Sequence, residues 1–194
     1  MQPSLLYLEK ETELKIRASI ESDRLEIISL HIQAFGEEKG PEIAGLVNDL
    51  FGDETAMPLL SLIALEDDKI IGHILFTKAN VMQTAESGSA RILATLAVLP
   101  DAQRKDTCGQ LVKEGLSQLK LLEVELVFVL GHSEYYPRFS FIPAGAQGYE
   151  APYHIPEEHA GAWMVQELCP GVIGRVKGKV QCSEMLNQPE HWQE

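Results

Sequence analysis

Cys108 opens an amphipathic run, and a helix N-terminus can lower a thiol's pKa enough to make it a nucleophile. No histidine adjoins it to act as base, and a cysteine there serves equally well as a small apolar helix residue. His73, inside an apolar strand-like run, reads either as a general base or as a hydrogen-bonded core histidine. Glu37, Glu38 and Glu66 can take a proton directly or through water, with solvated surface carboxylates as the alternative. Tyr136 beside Tyr135 offers a phenol donor or plain aromatic packing, and Ser133 is a polar loop residue within reach of a ligand. His154, His159 and His191, with Glu157 and Glu158, lack the His-x3-His spacing that puts two ligands on one helix face, so no metal is expected.

The elements that must position these groups follow from periodicity. A strand over Leu14 to Ala18 precedes Asp23 and Glu26, an N-cap pair opening a helix with an apolar face of Leu25, Ile28, Ile32 and Phe35. Gly36 and Gly40 break that helix, and Pro41 starts a second with Ile43, Leu46, Val47, Leu50 and Phe51 on one face. Leu59 to Leu65 and Ile70 to Ala79 read as a hairpin; a turn at Glu86 to Ser89 then leads to Ile92 to Leu99, a central strand ended by Pro100.

From Cys108 a helix buries Leu111, Val112, Gly115, Leu116, Leu119 and Leu122, and Leu126 to Leu130 is the next buried strand. Strand, helix, strand in that order predicts two parallel strands with the loop before the helix at the sheet's carboxyl end, where ligands prefer to sit. Tyr135 to Phe139 predicts one short helical turn, limited by Pro137. Ala162 to Leu168 is a strand candidate, and Val172 to Cys182 alternates as a half-exposed strand does.

The 194 residues, 45% hydrophobic and 23% charged, suit one core and one domain over 1–194. A formal charge of −13 excludes nucleic acid as a general partner, and the absence of a long apolar run excludes a membrane span. Three cysteines at irregular spacings predict neither disulfides nor a zinc knuckle, which fits a reducing, cytoplasmic setting. A homodimer is compatible with the sequence, which leaves oligomeric state open.

Leu96-Ala97-Val98-Leu99-Pro100-Asp101-Ala102-Gln103-Arg104-Lys105 and the helix after it resemble the cofactor motif of the GNAT superfamily of N-acetyltransferases. Val127-Phe128-Val129-Leu130-Gly131 and Tyr135-Tyr136-Pro137-Arg138-Phe139-Ser140-Phe141 resemble that family's next strand and its Tyr-x-x-x-Gly-Phe element, with Ser140 in the glycine place. Ile71-Gly72-His73-Ile74-Leu75-Phe76 suits its third strand, and the order of elements agrees over about 14–142. The whole is most similar to bacterial predicted acetyltransferases that carry a Tyr-Tyr-Pro-Arg-Phe run.

The resemblance implies an α/β (α+β) fold with a central mixed, mostly antiparallel sheet flanked by helices on both faces. It implies acetyl-CoA as co-substrate and direct attack by a primary amine of a small molecule or peptide, in a ternary complex. It implies that a bulged strand near Leu96, Ala97 and Val98 meets the pantetheine arm, and that Gln103, Arg104, Lys105, Asp106, Thr107, Cys108 and Gly109 hold the pyrophosphate. Ser133 and Tyr136 join that cofactor set, Tyr136 becomes the general acid, and His73 and Glu66 are the base candidates.

One departure matters. The family loop reads Gln/Arg-x-x-Gly-x-Gly/Ala, and with Gln103 in its first place Asp106 and Cys108 stand where small residues belong. A carboxylate ~4 Å from a phosphate at an effective dielectric of ~20 is repelled by ~4 kcal/mol, about three decades of affinity before screening. Asp106 is alternatively the helix N-cap. A catalytically inactive fold-mate that binds a ligand or partner is therefore the second reading.

Overall fold

Alternation and turn chemistry build the sheet in chain order. The computed structural model describes residues 14–82 and 89–192, without the side chains of Arg104 and Lys105. β1 (Lys15–Ala18), β2 (Leu60–Glu66), β3 (Lys69–Val81) and β4 (Ala90–Val98) form an antiparallel meander, with Asp67 and Asp68 at positive φ making the β2–β3 turn. β5 (Leu126–Leu130) pairs parallel with β4, as the strand-helix-strand order predicts. β8 (Trp163–Glu167) lies antiparallel to β5, and β6 (Ile142–Pro143) pairs with β8. β7 (Tyr149–Glu150) joins β9 (Gly178–Gln181), which closes on the far end of β3 at Asn80 and Val81. The sheet is thus mixed and mostly antiparallel.

One long helix covers each face. α2 (Thr107–Leu121) buries Leu111, Val112, Gly115, Leu116 and Leu119 against Leu62, Ile74, Phe76 and Leu93. Leu122 lies just past its end and is exposed, outside the expected stripe. α1 (Arg24–Gly52) lies on the opposite face and bends at Gly36, whose φ of 77° interrupts the helix. The two helices that the sequence predicts are thus both present, joined across a kink at Gly36 where the backbone leaves helical geometry. Gly40 lets the two approach, since a Cβ there would sit 2.5 Å from the Ile32 carbonyl oxygen.

The first half of α1 turns a different face inward from the one its apolar residues predict. Ile27, Leu30 and His31 are buried, while Leu25, Ile32 and Phe35 are exposed. The physical cause is His31, a polar residue that a hydrophobic template assigns to solvent but that bonds to His73 in the interior. Asp23 does not cap α1 with its side chain either. Its carboxylate accepts from the Ile20 amide (2.8 Å) and Arg17, and Glu26 accepts from the Ile70 amide (3.2 Å) instead.

Further along, the segment after Pro100 forms a 3-10 turn (Pro100–Lys105), and Tyr136–Phe139 forms the short turn expected there. The predicted Val172 to Cys182 strand is reduced to β9, because Gly171, Gly174 and Gly178 adopt positive φ and turn the chain. Val172, Val176 and Val180 still point inward, although Gly174 between them is exposed. The predicted turn at Glu86 to Ser89 lies, up to residue 88, outside the described residues.

Candidate active site

β4 and β5 are hydrogen-bonded only from Ala90 to Leu93 and from Leu126 to Val129. At that point Ala94 becomes an extra residue in β4, because Leu75 faces Thr95 while Phe76 faces Leu93. A bulge of this kind bends its strand and ends pairing. β4 and β5 diverge past it, and a cleft of about 820 Å³ opens between Leu93–Leu96 on one side and Leu130, His132, Tyr135 and Tyr136 on the other. The bulge lies two residues before Leu96, the expected position. Leu96 and Val98 line the cleft, whereas Ala97 packs among Ile27, Leu30 and Ile63 beneath α1. Sequence reasoning missed Thr95, which is 7% exposed, lines the cleft and has no partner for its hydroxyl among the described residues. A buried orphan hydroxyl in a cleft wall suits a polar ligand.

The start of α2 forms one end of the cleft. Gln103 reaches back to the Val98 carbonyl (3.1 Å) and lines it together with Cys108. The Gln110 amide is the first to bond as a regular helix does, to the Asp106 carbonyl (3.0 Å), so the amides of Thr107, Cys108 and Gly109 precede the ladder. Thr107 is fully buried and its hydroxyl donates to the Ala102 carbonyl (3.1 Å), so its side chain does not face a ligand. Asp106 sits in the left-handed region (φ 55°) and makes no side-chain cap. Its carboxylate instead pairs with Arg138 (2.9 Å) and Lys113 (3.8 Å). The side chains of Arg104 and Lys105 lie outside the described residues.

Cys108 is half-buried, and its thiol is pushed up, chiefly by burial and then by the Asp106 carboxylate. The dipole effect expected of a helix start is outweighed, and the nucleophile reading loses its basis. Burial also raises the two phenols. Tyr135 is pushed up to about 12, by burial first and by neighbouring Cys108 second. Tyr136, 8% exposed, is raised further, again mainly by burial, with Tyr135 beside it the next cause. Gly131 makes room for the Tyr136 ring, since a Cβ there would lie 2.7 Å from it. Tyr136 lines the cleft, and its hydroxyl makes no hydrogen bond to a described residue. Ser140 at φ 70° has the left-handed backbone that explains why a glycine suits that place.

Neither base candidate lies in the cleft. His73 is completely buried, with one ring nitrogen on His31 (2.9 Å) and the other on Ser61 (2.9 Å), whose hydroxyl meets Ser19 (2.6 Å). Burial holds the pair neutral: it lowers His31 to about 4 and His73 well below the usual imidazole range, His31 being the second cause for His73. Glu66 closes the β2–β3 hairpin, paired across it with Lys69. Ser133 adjoins the cleft in a side cavity shared with His132 and Tyr135.

The groups at the other end of the cleft were not legible beforehand. Glu42 and Ile43 come from α1, and Leu186, Glu190 and His191 from the C-terminal segment, which folds back across the molecule. The stretch Phe35 to Gly40 at the bend of α1 contributes Phe35 and Lys39 to this wall. Ala144 to Glu158, Tyr149 included, instead lines a separate cavity of about 470 Å³ with Trp163, and Met82 to Ser89 lies largely outside the described residues. Among the described residues no cluster suits a metal, the three cysteines are free, and no helix is long and apolar enough to cross a membrane.

Residues 15–144 match a family model described as an acetyltransferase (GNAT) domain. A protein of Escherichia coli strain K12 named "Uncharacterized N-acetyltransferase YjhQ" is 43% identical over 164 residues, 84% of this chain and 88% of its own. The structure of the GNAT family N-acetyltransferase YhbS from E. coli in complex with CoA is similar at a TM-score of 0.80 and 27% identity, covering 97% of this chain and 96% of that one. A GNAT family acetyltransferase from Brucella melitensis in complex with acetyl-CoA has a TM-score of 0.69 and 25% identity, covering 90% and 99% of the two chains.

Proposed function

Because the chain belongs to the GNAT family of acetyltransferases, we propose that it moves acetyl from acetyl-CoA to a primary amine of a small molecule or peptide, by direct attack in a ternary complex. The observation that carries this reading is the fork at Ala94, where β4 parts from β5 and Tyr136 and the start of α2 converge on one cleft. The orphan Thr95 hydroxyl, the amides ahead of the α2 ladder and the edge of β4 that β5 no longer covers past Leu93 fit a polar, extended thioester ligand.

Acetyl-CoA supplies an acetyl group activated as a thioester. The acceptor must lose a proton before it can attack, since an ammonium has no lone pair. Glu42, Glu190, His132 and His191 line the cleft and can take that proton directly or through water. His73 is held neutral inside the core and serves that core.

The raised pKa of Tyr136 sharpens its role. A phenol less acidic than a thiol, ordinarily near 8.5, does not surrender its proton to a thiolate outright. Tyr136 therefore stabilises charge developing on the departing sulfur by donating a hydrogen bond, and the net proton comes from the amine.

Calorimetric titration with acetyl-CoA tests the reading, followed by a panel of primary amines scored by release of free thiol. Binding and amine-dependent release are expected, with Tyr136→Phe lowering turnover by about 10²-fold. No heat at millimolar acetyl-CoA would instead favour a catalytically silent fold-mate, for which Asp106 is the structural argument.

A further inference from the structure

Asp106 poses a question that family membership leaves open: why a carboxylate stands at the start of α2. Three observations bear on it. Its side chain lies flat on the first turn, so close to Gly109 that a Cβ on that residue would collide with the carboxylate. It makes no hydrogen bond to the helix amides, which stay ahead of the ladder. It gathers two cations, Arg138 at 2.9 Å and Lys113 at 3.8 Å. Arg138 is held in place independently, its guanidinium 5.2 Å from the Tyr135 ring centroid and 5.2 Å from that of Phe139.

We propose that Asp106 is a built-in stand-in for the pyrophosphate, and that Arg138 and Lys113 exchange its carboxylate for phosphate oxygens when acetyl-CoA enters. The proposal rests on the reading of the cleft as an acetyl-CoA site and adds two ligands to it. The chemistry is that of anion exchange on a fixed guanidinium: a planar fork fits carboxylate and phosphate alike, and the divalent, multi-oxygen group wins once it also meets the free amides. Arg138 then carries affinity that the glycine-poor loop lacks. Asp106 keeps the two cations arranged before the ligand arrives, and opposes binding by having to be displaced.

The test is a double-mutant cycle read by calorimetry with two probes, CoA and pantetheine, which lacks the pyrophosphate. Asp106→Asn, nearly isosteric and tolerant of a left-handed backbone, should tighten CoA by about tenfold and leave pantetheine unchanged. Arg138→Gln should weaken CoA by about tenfold both alone and in the Asp106→Asn background, again without effect on pantetheine. If the Arg138→Gln loss disappears in that background, Arg138 merely neutralises Asp106 and the exchange is overturned. If Asp106→Asn weakens CoA or leaves it unchanged, the stand-in role is overturned. Thermal melts confirm that each variant folds, and Asp106→Gly, suited to a φ of 55°, replaces Asp106→Asn if that variant does not. Failure of the parent protein to bind CoA at all would sink the acetyl-CoA reading itself, a result separable from either of these.

Discussion

Individual side chains show how far residue type alone can mislead about role. His73 has the chemistry of a base, yet it is buried as one link of a Ser19, Ser61, His73, His31 chain. This arrangement has a measurable consequence. Burial lowers His31 to about 4 in the fold from about 6.5 when unfolded, and holds His73 well below the usual imidazole range too. Between those values the unfolded chain binds protons that the folded one refuses, so stability is full above about pH 6.5 and falls as pH drops. His31 alone costs on the order of 2 kcal/mol between about pH 7.5 and about pH 5. Urea unfolding across that range should show the loss, and a His31→Gln/His73→Gln variant should flatten it. Asp23 and Asp53, both lowered from 3.8, withdraw their contributions only at still lower pH and do not obscure the window.

At the scale of elements, glycine positions separate packing from propensity. Gly115 on α2 faces the ring of Phe76, which is fully buried, and a Cβ there would overlap it. Gly45 on α1 has open space where a Cβ would go. Gly115→Val should therefore destabilise by roughly 2 kcal/mol through overpacking. Gly45→Ala should stabilise by about 0.5–1 kcal/mol, because only backbone entropy changes. Opposite shifts in melting temperature are the expected result; a rise for both would mean that Phe76 has room to move. The α2 stripe and the β5 run were legible because unbroken apolar periodicity leaves one inward face. The inner face of α1 was not, since its key buried residue is a histidine whose partner is 42 positions away. The bulge at Ala94 was likewise displaced from its expected place, because a bulge is a relation between two strands and leaves no mark on one.

Over the whole molecule, the C-terminal segment completes a cleft begun by distant elements. Asp53 and Thr55, just past α1, hold it by accepting from the amides of Met185 (3.1 Å) and Glu184 (2.8 Å). Trp192 packs edge-on against Trp163, with ring centroids 5.5 Å apart, and donates to the Leu186 carbonyl (2.8 Å). Trp192→Ala should cost about 3 kcal/mol in chemical unfolding, while CoA affinity, which the proposed site puts at the β4–β5 fork and the start of α2, stays within about threefold. A large loss of CoA binding would show that the segment shapes the cofactor end as well. The sequence by itself determined the β2–β3 hairpin, the α2 stripe and the parallel β4–β5 pair, because those depend on local periodicity, while the mixed sheet as a whole and the neighbourhood of Tyr136 and Gln103 followed from short motifs that resemble the GNAT family. Only the tertiary structure decided that His73 is sequestered, that Asp106 is clasped by Arg138 and Lys113, and that Glu42, Glu190 and His191 share a cleft with Tyr136. Each of those is a meeting of residues far apart in the chain, fixed by how the layers pack.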